Sequence, residues 1–164
     1  MSTELAEAML AERGVSVRAI ADIVFKLQQK YHPGLTMLTC EDSVRAVLGK
    51  REVQYTLFTG IALDKLAERK LLPEPLQSIM ENDEPLYGVD ETMALGVTSI
   101  YGMIGLTSFG YLDKEKIGVI DTLNEESGAI HVFLDDLVAG IAAAASSRIA
   151  HNHPGAASYT TGTD

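Results

Sequence analysis

The segment from His131 to Ala150 constrains this chain more than any other feature, because it reads as a helix that is apolar on nearly every side. At about 100° per residue, His131, Leu134, Val138, Ile141, Ala142, Ala145 and Ile149 fill one side. Val132, Phe133, Leu137 and Ala143 fill the other. A surface helix carries one apolar stripe, whereas a helix apolar all round is enclosed by neighbours. Its alanines (Ala139 and Ala142 to Ala145) favour helix and let other helices approach closely. The nearest approach to an uninterrupted apolar span, Val138 to Ala145, falls short of the roughly 18–20 residues that cross a bilayer, and Asp135 and Asp136 precede it. The expected fold is therefore all-α: a compact multi-helix bundle around a buried, Ala-rich C-terminal helix.

The rest of the chain supplies the wrapping. Residues 3–13 read as a short helix ended by Gly14, and Ser16 can cap a second through Val17, Ile20, Val24, Leu27 and Tyr31. His32-Pro33-Gly34 stops it. Thr39 and Asp42 form a capping pair for a third helix through Val44, Val47 and Leu48. Residues 51–70 carry apolar side chains on more than one face. Pro73 and Pro75 punctuate before a short helix through Leu76, Ile79 and Met80. Asp90 can cap a helix through Met93, Val97, Ile100 and Ile104 that ends near Gly105. Thr107 to Gly110 reads as a break before a helix starting near Asp113 and running through Ile117, Ile120 and Leu123. Ser127-Gly128 is a turn, Ala129 to Leu134 is ambiguous between strand and helix, and residues 151–164 read as a flexible tail after a single domain over 1–150.

Composition narrows the partners. With 13 Lys+Arg against 23 Asp+Glu the formal charge is −10, which disfavours nucleic acid as a partner. The single cysteine, Cys40, excludes an internal disulfide and a multi-cysteine zinc site. No basic stretch followed by an apolar run opens the chain, and no transmembrane segment occurs, so a cytoplasmic protein is expected, with room for peripheral contact with a membrane. The apolar faces of 51–70 and 131–150 point to self-association.

The chemistry concentrates in carboxylates. Asp135 lies about 60° from Val138, at the edge of the apolar stripe, and Asp136 about 160° away. Two adjacent acids in the first turns of an enclosed helix lose several kcal/mol of hydration each, so they need a cation or hydrogen-bond donors. Helix N-termini or a partner such as Arg148 could provide the latter. Asp90 and Asp113 each read as a helix cap, or as a member of an acidic group gathered from several helix starts. Glu91 shares its face with Ala94, Leu95, Thr98 and Gly102, with no charged partner. Lys116, one turn after Asp113, is either a solvated lysine or the cation that neutralises a substrate anion. Cys40 reads as an ordinary buried thiol, His131 as a cap or packing residue with proton transfer as the alternative, and His151-Asn152-His153 as solvated. No GxGxxG or GxxxxGK loop occurs.

Three segments, in order, resemble the acidic motifs of the phosphatidylglycerophosphatase A family. They are Gly88-Val89-Asp90-Glu91, Phe109-Gly110-Tyr111-Leu112-Asp113-Lys114-Glu115-Lys116, and His131-Val132-Phe133-Leu134-Asp135-Asp136-Leu137-Val138-Ala139-Gly140. The resemblance spans about residues 85–148 and points to a branch without transmembrane segments. It implies Mg²⁺- or Mn²⁺-dependent hydrolysis of a phosphate monoester, phosphatidylglycerophosphate in the membrane enzymes. Glu91, Asp113, Asp135 and Asp136 would bind the metal, Lys116 would contact phosphate, and Asp136 would take a proton. Gly110 replaces an Arg of the membrane enzymes and Ile117 a Pro, and their early Gly/Ser/Pro-rich motif is missing. Two other functions fit the same residues: a non-catalytic helical oligomer or regulator that keeps the acidic site, and an all-α nucleotide pyrophosphohydrolase. The second lacks the ExxE pairs that two metals on one helix face require.

Overall fold

Three side-chain caps set the first three helices. Ser2 Oγ accepts from the Leu5 N–H at 3.4 Å, Ser16 Oγ from Ala19 at 3.0 Å and Thr36 Oγ1 from Thr39 at 3.2 Å. Each satisfies one of the backbone donors that a helix start leaves unpaired. They open α1 (Thr3–Glu12), α2 (Val17–Gln28) and α3 (Met37–Leu48). Helix α3 thus begins before the expected Thr39/Asp42 pair, because Thr36 has the extended backbone a cap needs and Thr39 is already helical. The chain continues as α4 (Arg51–Glu68), α5 (Leu76–Glu81), α6 (Val89–Thr98), a 3₁₀ turn (Ser99–Tyr101), α7 (Met103–Glu115), α8 (Val119–Glu125) and α9 (Leu134–Asn152). This computed structural model describes residues 2–125 and 128–152, and among the described residues there is no strand. The protein is all-helical, as its periodicity requires.

Helix α9 is the axle. Every residue from Leu134 to Ser147 is buried, and α2, α3, α4, α6, α7 and α8 all pack against it. Its apolar sides are covered within the chain, so the surface that suggested self-association at 131–150 is not available for it. His151 and Asn152 continue α9, while the tail expected beyond them, and Ser127 of the expected turn, lie outside the described residues.

The second half breaks at other places than its glycines suggest. No helix ends at Gly105, and 107–110 is not a break: α7 runs through both. Gly105 is small for packing, since a Cβ there would stand 2.6 Å from the Thr98 carbonyl oxygen. The chain turns instead at Gly102 (φ +82) and at Lys116 and Gly118 (φ +45 and +64). Asp113 therefore lies in the last turn of α7 rather than starting a helix, and Asp90 is the second residue of α6, whose cap is Gly88 (φ +63).

Candidate functional site

One stripe of α4 fixes where α9 begins. Gly60, Asp64 and Glu68 recur one turn apart and face the 130–137 segment. A Cβ on Gly60 would fall 2.5 Å from Leu137 Cδ1 and 3.0 Å from Phe133 Cβ, so the helices meet at glycine-only distance. The fully buried Asp64 accepts from the N–H groups of Phe133 (3.1 Å) and Leu134 (3.0 Å), capping α9 from another helix. Glu68 accepts from Ile130 N–H at 2.9 Å and pairs with Arg13, which also donates to the Ile130 carbonyl at 3.0 Å. Arg13 Nη2 lies 3.1 Å from His131 Nδ1, so His131 belongs to this fastening. Tyr87 packs edge-on against Phe133 with ring centroids 5.9 Å apart, tying the 83–88 loop to the same point.

A second close crossing aligns the acids. A Cβ on Gly140 would stand 3.0 Å from the Ala94 carbonyl oxygen, so α6 and α9 touch there. Both helices start at the cleft, and Asp90 and Asp136 each lie one turn before this crossing. Asp90, Glu91 and Asp136 accordingly each offer a carboxylate oxygen, and the three oxygens lie within 4.8 Å of one another. Asp113 and Lys116 arrive from the far end of α7. Lys116, in the left-handed conformation that ends that helix, donates to Asp113 Oδ1 and to Asp135 Oδ2, both at 3.2 Å. Its Nζ is 3.9 Å from Asp136 Oδ1.

These residues line a cleft of about 260 Å³ closed by Asp83, Glu84, Pro85, Gly88 and Val132. All the residues expected at a site are here: Glu91, Asp113, Lys116, Asp135 and Asp136. They fall into two groups, with Glu91 and Asp136 beside Asp90, and Asp113 and Asp135 beside Lys116. Cys40 and His151 do not line it. The Cys40 thiol, buried in α3, is pushed up to about 11 by burial and by Glu41, as suits an inert thiol.

The electrostatics are strained. Burial, then the charge of Asp135, pushes the Asp136 carboxyl up to about 8. Burial also raises Asp90, Glu91 and Asp135, with Lys116 opposing the rise at Asp135. Burial works against the charge of Lys116, but Asp135 and Asp136 outweigh it and hold the ammonium above its usual range. Seven carboxyl residues, Asp83 and Glu84 included, line the cleft with one ammonium, an arrangement that repels an anion unless another cation joins. The donors suit Mg²⁺ or Mn²⁺ in kind, being hard carboxylate oxygens from two helices that lie within 4.8 Å of one another. Asp90, Glu91 and Asp136 would hold such an ion, leaving its other positions to water or substrate.

Asp90, which the sequence leaves open between a cap and a member of an acidic group, belongs to the group. Asp64 is the contributor the sequence does not single out, although it extends the buried line Val53, Leu57, Gly60 and Ile61, where a charged residue needs a partner.

No helix among the described residues is long and apolar enough to cross a membrane. The chain is 57% identical to the uncharacterized protein YpjQ of Bacillus subtilis strain 168 over 150 residues, which is 92% of this chain and 85% of that protein. It is also 57% identical to YutG of the same organism over 147 residues, 89% of each chain. The crystal structure of YpjQ superposes with a TM-score of 0.88 over 92% of this chain and 94% of that one. The low temperature requirement C protein of Listeria monocytogenes, 53% identical, gives 0.87 over 91% and 94%. The profile described as "Phosphatidylglycerophosphatase A" matches residues 9–151, all of α2 to α8 and all but the last residue of α9, and the chain belongs to that family.

Proposed function

We propose that the protein is a divalent-cation-dependent phosphatase that hydrolyses a phosphate monoester, with Mg²⁺ or Mn²⁺ as cofactor and a phosphatidylglycerophosphate-like lipid as substrate. The observation that carries this reading is the triangle of Asp90, Glu91 and Asp136 oxygens beside Lys116, in a cleft open to solvent. Family membership supports the phosphatase class.

A bound cation supplies charge neutralisation and polarisation of the phosphoryl group. The chain's own residues do the rest. Lys116 uses two of its three N–H donors on Asp113 and Asp135, which aim the third into the cleft for a phosphoryl oxygen. Water attacks phosphorus, the ester P–O bond breaks, and Asp136 accepts the proton that water loses. The alcohol leaves after taking a proton from solvent. Asp64 and Glu68 hold the start of α9 still, so that Asp135 and Asp136 need not reorganise. Leu86, 92% exposed between the lining residues Pro85 and Gly88, gives the mouth an apolar lip suited to the lipid part of the substrate.

A panel of lipid and soluble phosphate esters, assayed for inorganic phosphate with Mg²⁺, Mn²⁺ or chelator, tests the proposal. Release is expected only with metal and fastest on the lipid ester. Pyrophosphate from a nucleoside triphosphate would support a pyrophosphohydrolase instead, and no turnover of any ester would support a non-catalytic role.

A further inference from the structure

We propose that a second copy of this chain covers the outer face of α6 and α7. From Thr92 to Leu112 the sequence carries no charged residue, although 22% of the chain is charged. The charges that bound this stretch, Glu91 and Asp113, both line the cleft. The two helices run antiparallel, since α6 starts and α7 ends at the cleft, and both lean on α9 with their outer turns uncovered by described residues. Leu95, Ile100, Met103, Ile104 and Tyr111 are exposed there, Met103 by 74% and Tyr111 by 50%. Isolated apolar side chains on a surface need no explanation, but a face with no charge at all on an acidic protein does.

Two glycines sharpen the inference. Gly96 and Gly110 sit inside α6 and α7, are exposed, and do not have positive φ. A Cβ at either would meet nothing within 4 Å. Glycine inside a helix is less favourable than alanine, and nothing among the described residues requires it at these positions. Close approach of another backbone does.

Charge selects the occupant. At a net −10, most faces of two copies repel each other, whereas this face can meet itself without opposing charges. A membrane of anionic lipid would need basic side chains on it. Of the lysines at its border, Lys26 pairs with Asp22 at 2.7 Å and Lys30 lies over the Tyr31 ring at 4.8 Å, which leaves the exposed Lys114, one turn beyond Gly110, a single cation where an anionic surface needs several. The contact is then a two-fold pairing of α6–α7 hairpins, four helices packed across neutral, glycine-containing surfaces.

Sedimentation equilibrium of the full chain at micromolar concentration tests this without reference to phosphatase activity. A dimer is expected. Met103→Glu and Thr107→Glu each place like charges across the two-fold and should raise its dissociation constant at least about tenfold, with circular dichroism unchanged. Gly110→Ala should weaken the dimer while raising the melting temperature of the diluted monomer, a pair of opposite effects that misfolding does not produce. A wild-type monomer overturns the proposal, as does a dimer indifferent to both glutamates. A monomer that floats with phosphatidylcholine–phosphatidylglycerol vesicles, and no longer does so as Met103→Glu, would assign the face to lipid and equally overturn it.

Discussion

Two buried aspartates stand at the start of α9 in similar burial and opposite circumstances. Asp64 receives two backbone N–H groups at hydrogen-bond distance and feels the charge of Arg13. Asp136 accepts no hydrogen bond from the described residues, has Asp135 and Asp90 for neighbours, and meets its nearest cation, Lys116, only at 3.9 Å. Burial lifts both carboxyls, to about 7 and about 8 respectively. A buried acid surrounded by donors completes a helix; a buried acid surrounded by acids is the one on which the proposed cation would act. Removing the first should damage the fold and removing the second should damage the chemistry.

The largest effect expected from this contrast is on turnover. Asp136→Asn should lower metal-dependent phosphate release by a factor on the order of 10³, as loss of a group acting on the reacting atoms does, with the melting temperature at least maintained. Wild-type turnover in that variant would end the proposed role. Asp64→Ala should do the converse. It leaves two buried N–H donors unpaired and is expected to cost about 2–3 kcal/mol in urea unfolding, while whatever folded fraction remains keeps its affinity for Mn²⁺.

Packing gives a smaller effect. Gly60→Ala drives a methyl into Leu137 and Phe133 and should cost about 1–3 kcal/mol by overpacking, measured by thermal melts. Gly140→Ala, at the α6–α9 crossing, should cost less stability but separate Asp90 from Asp136, so KM for metal should rise before stability is lost.

A further contrast is in pH dependence. The native Asp136 carboxyl keeps its proton to about pH 8, whereas the unfolded chain releases it near 4. The native state therefore binds more protons in that window, so metal-free stability falls as pH rises through it and levels off above it. Mg²⁺ should flatten that slope, by binding the native state alone. Asp136→Asn should remove the slope due to this group, raise metal-free stability at pH 8, and abolish the stabilisation by Mg²⁺. Identical melts with and without Mg²⁺ for the wild type would erase the distinction between the two aspartates.

The sequence by itself determined the helical class, the central place of α9 and which acids stand out as candidates. Apolar periodicity and burial on all sides are local properties, so Leu134 to Ile149 announces an enclosed helix without knowledge of its neighbours. The adjacent Asp135 and Asp136 stand out for the same reason. Tertiary structure decided how the acids are shared. Asp90 joins Glu91 and Asp136 because Ala94 and Gly140 let two helix backbones touch one turn away. Asp113 turns to Lys116 because α7 runs through Gly105 and Gly110 and ends at a left-handed lysine. A glycine that terminates a helix and one that admits a neighbouring carbonyl are the same letter in the sequence. Only the packed neighbour distinguishes them, and the same holds for Asp64, whose partners lie some seventy residues away along the chain and at 3.0 and 3.1 Å in space.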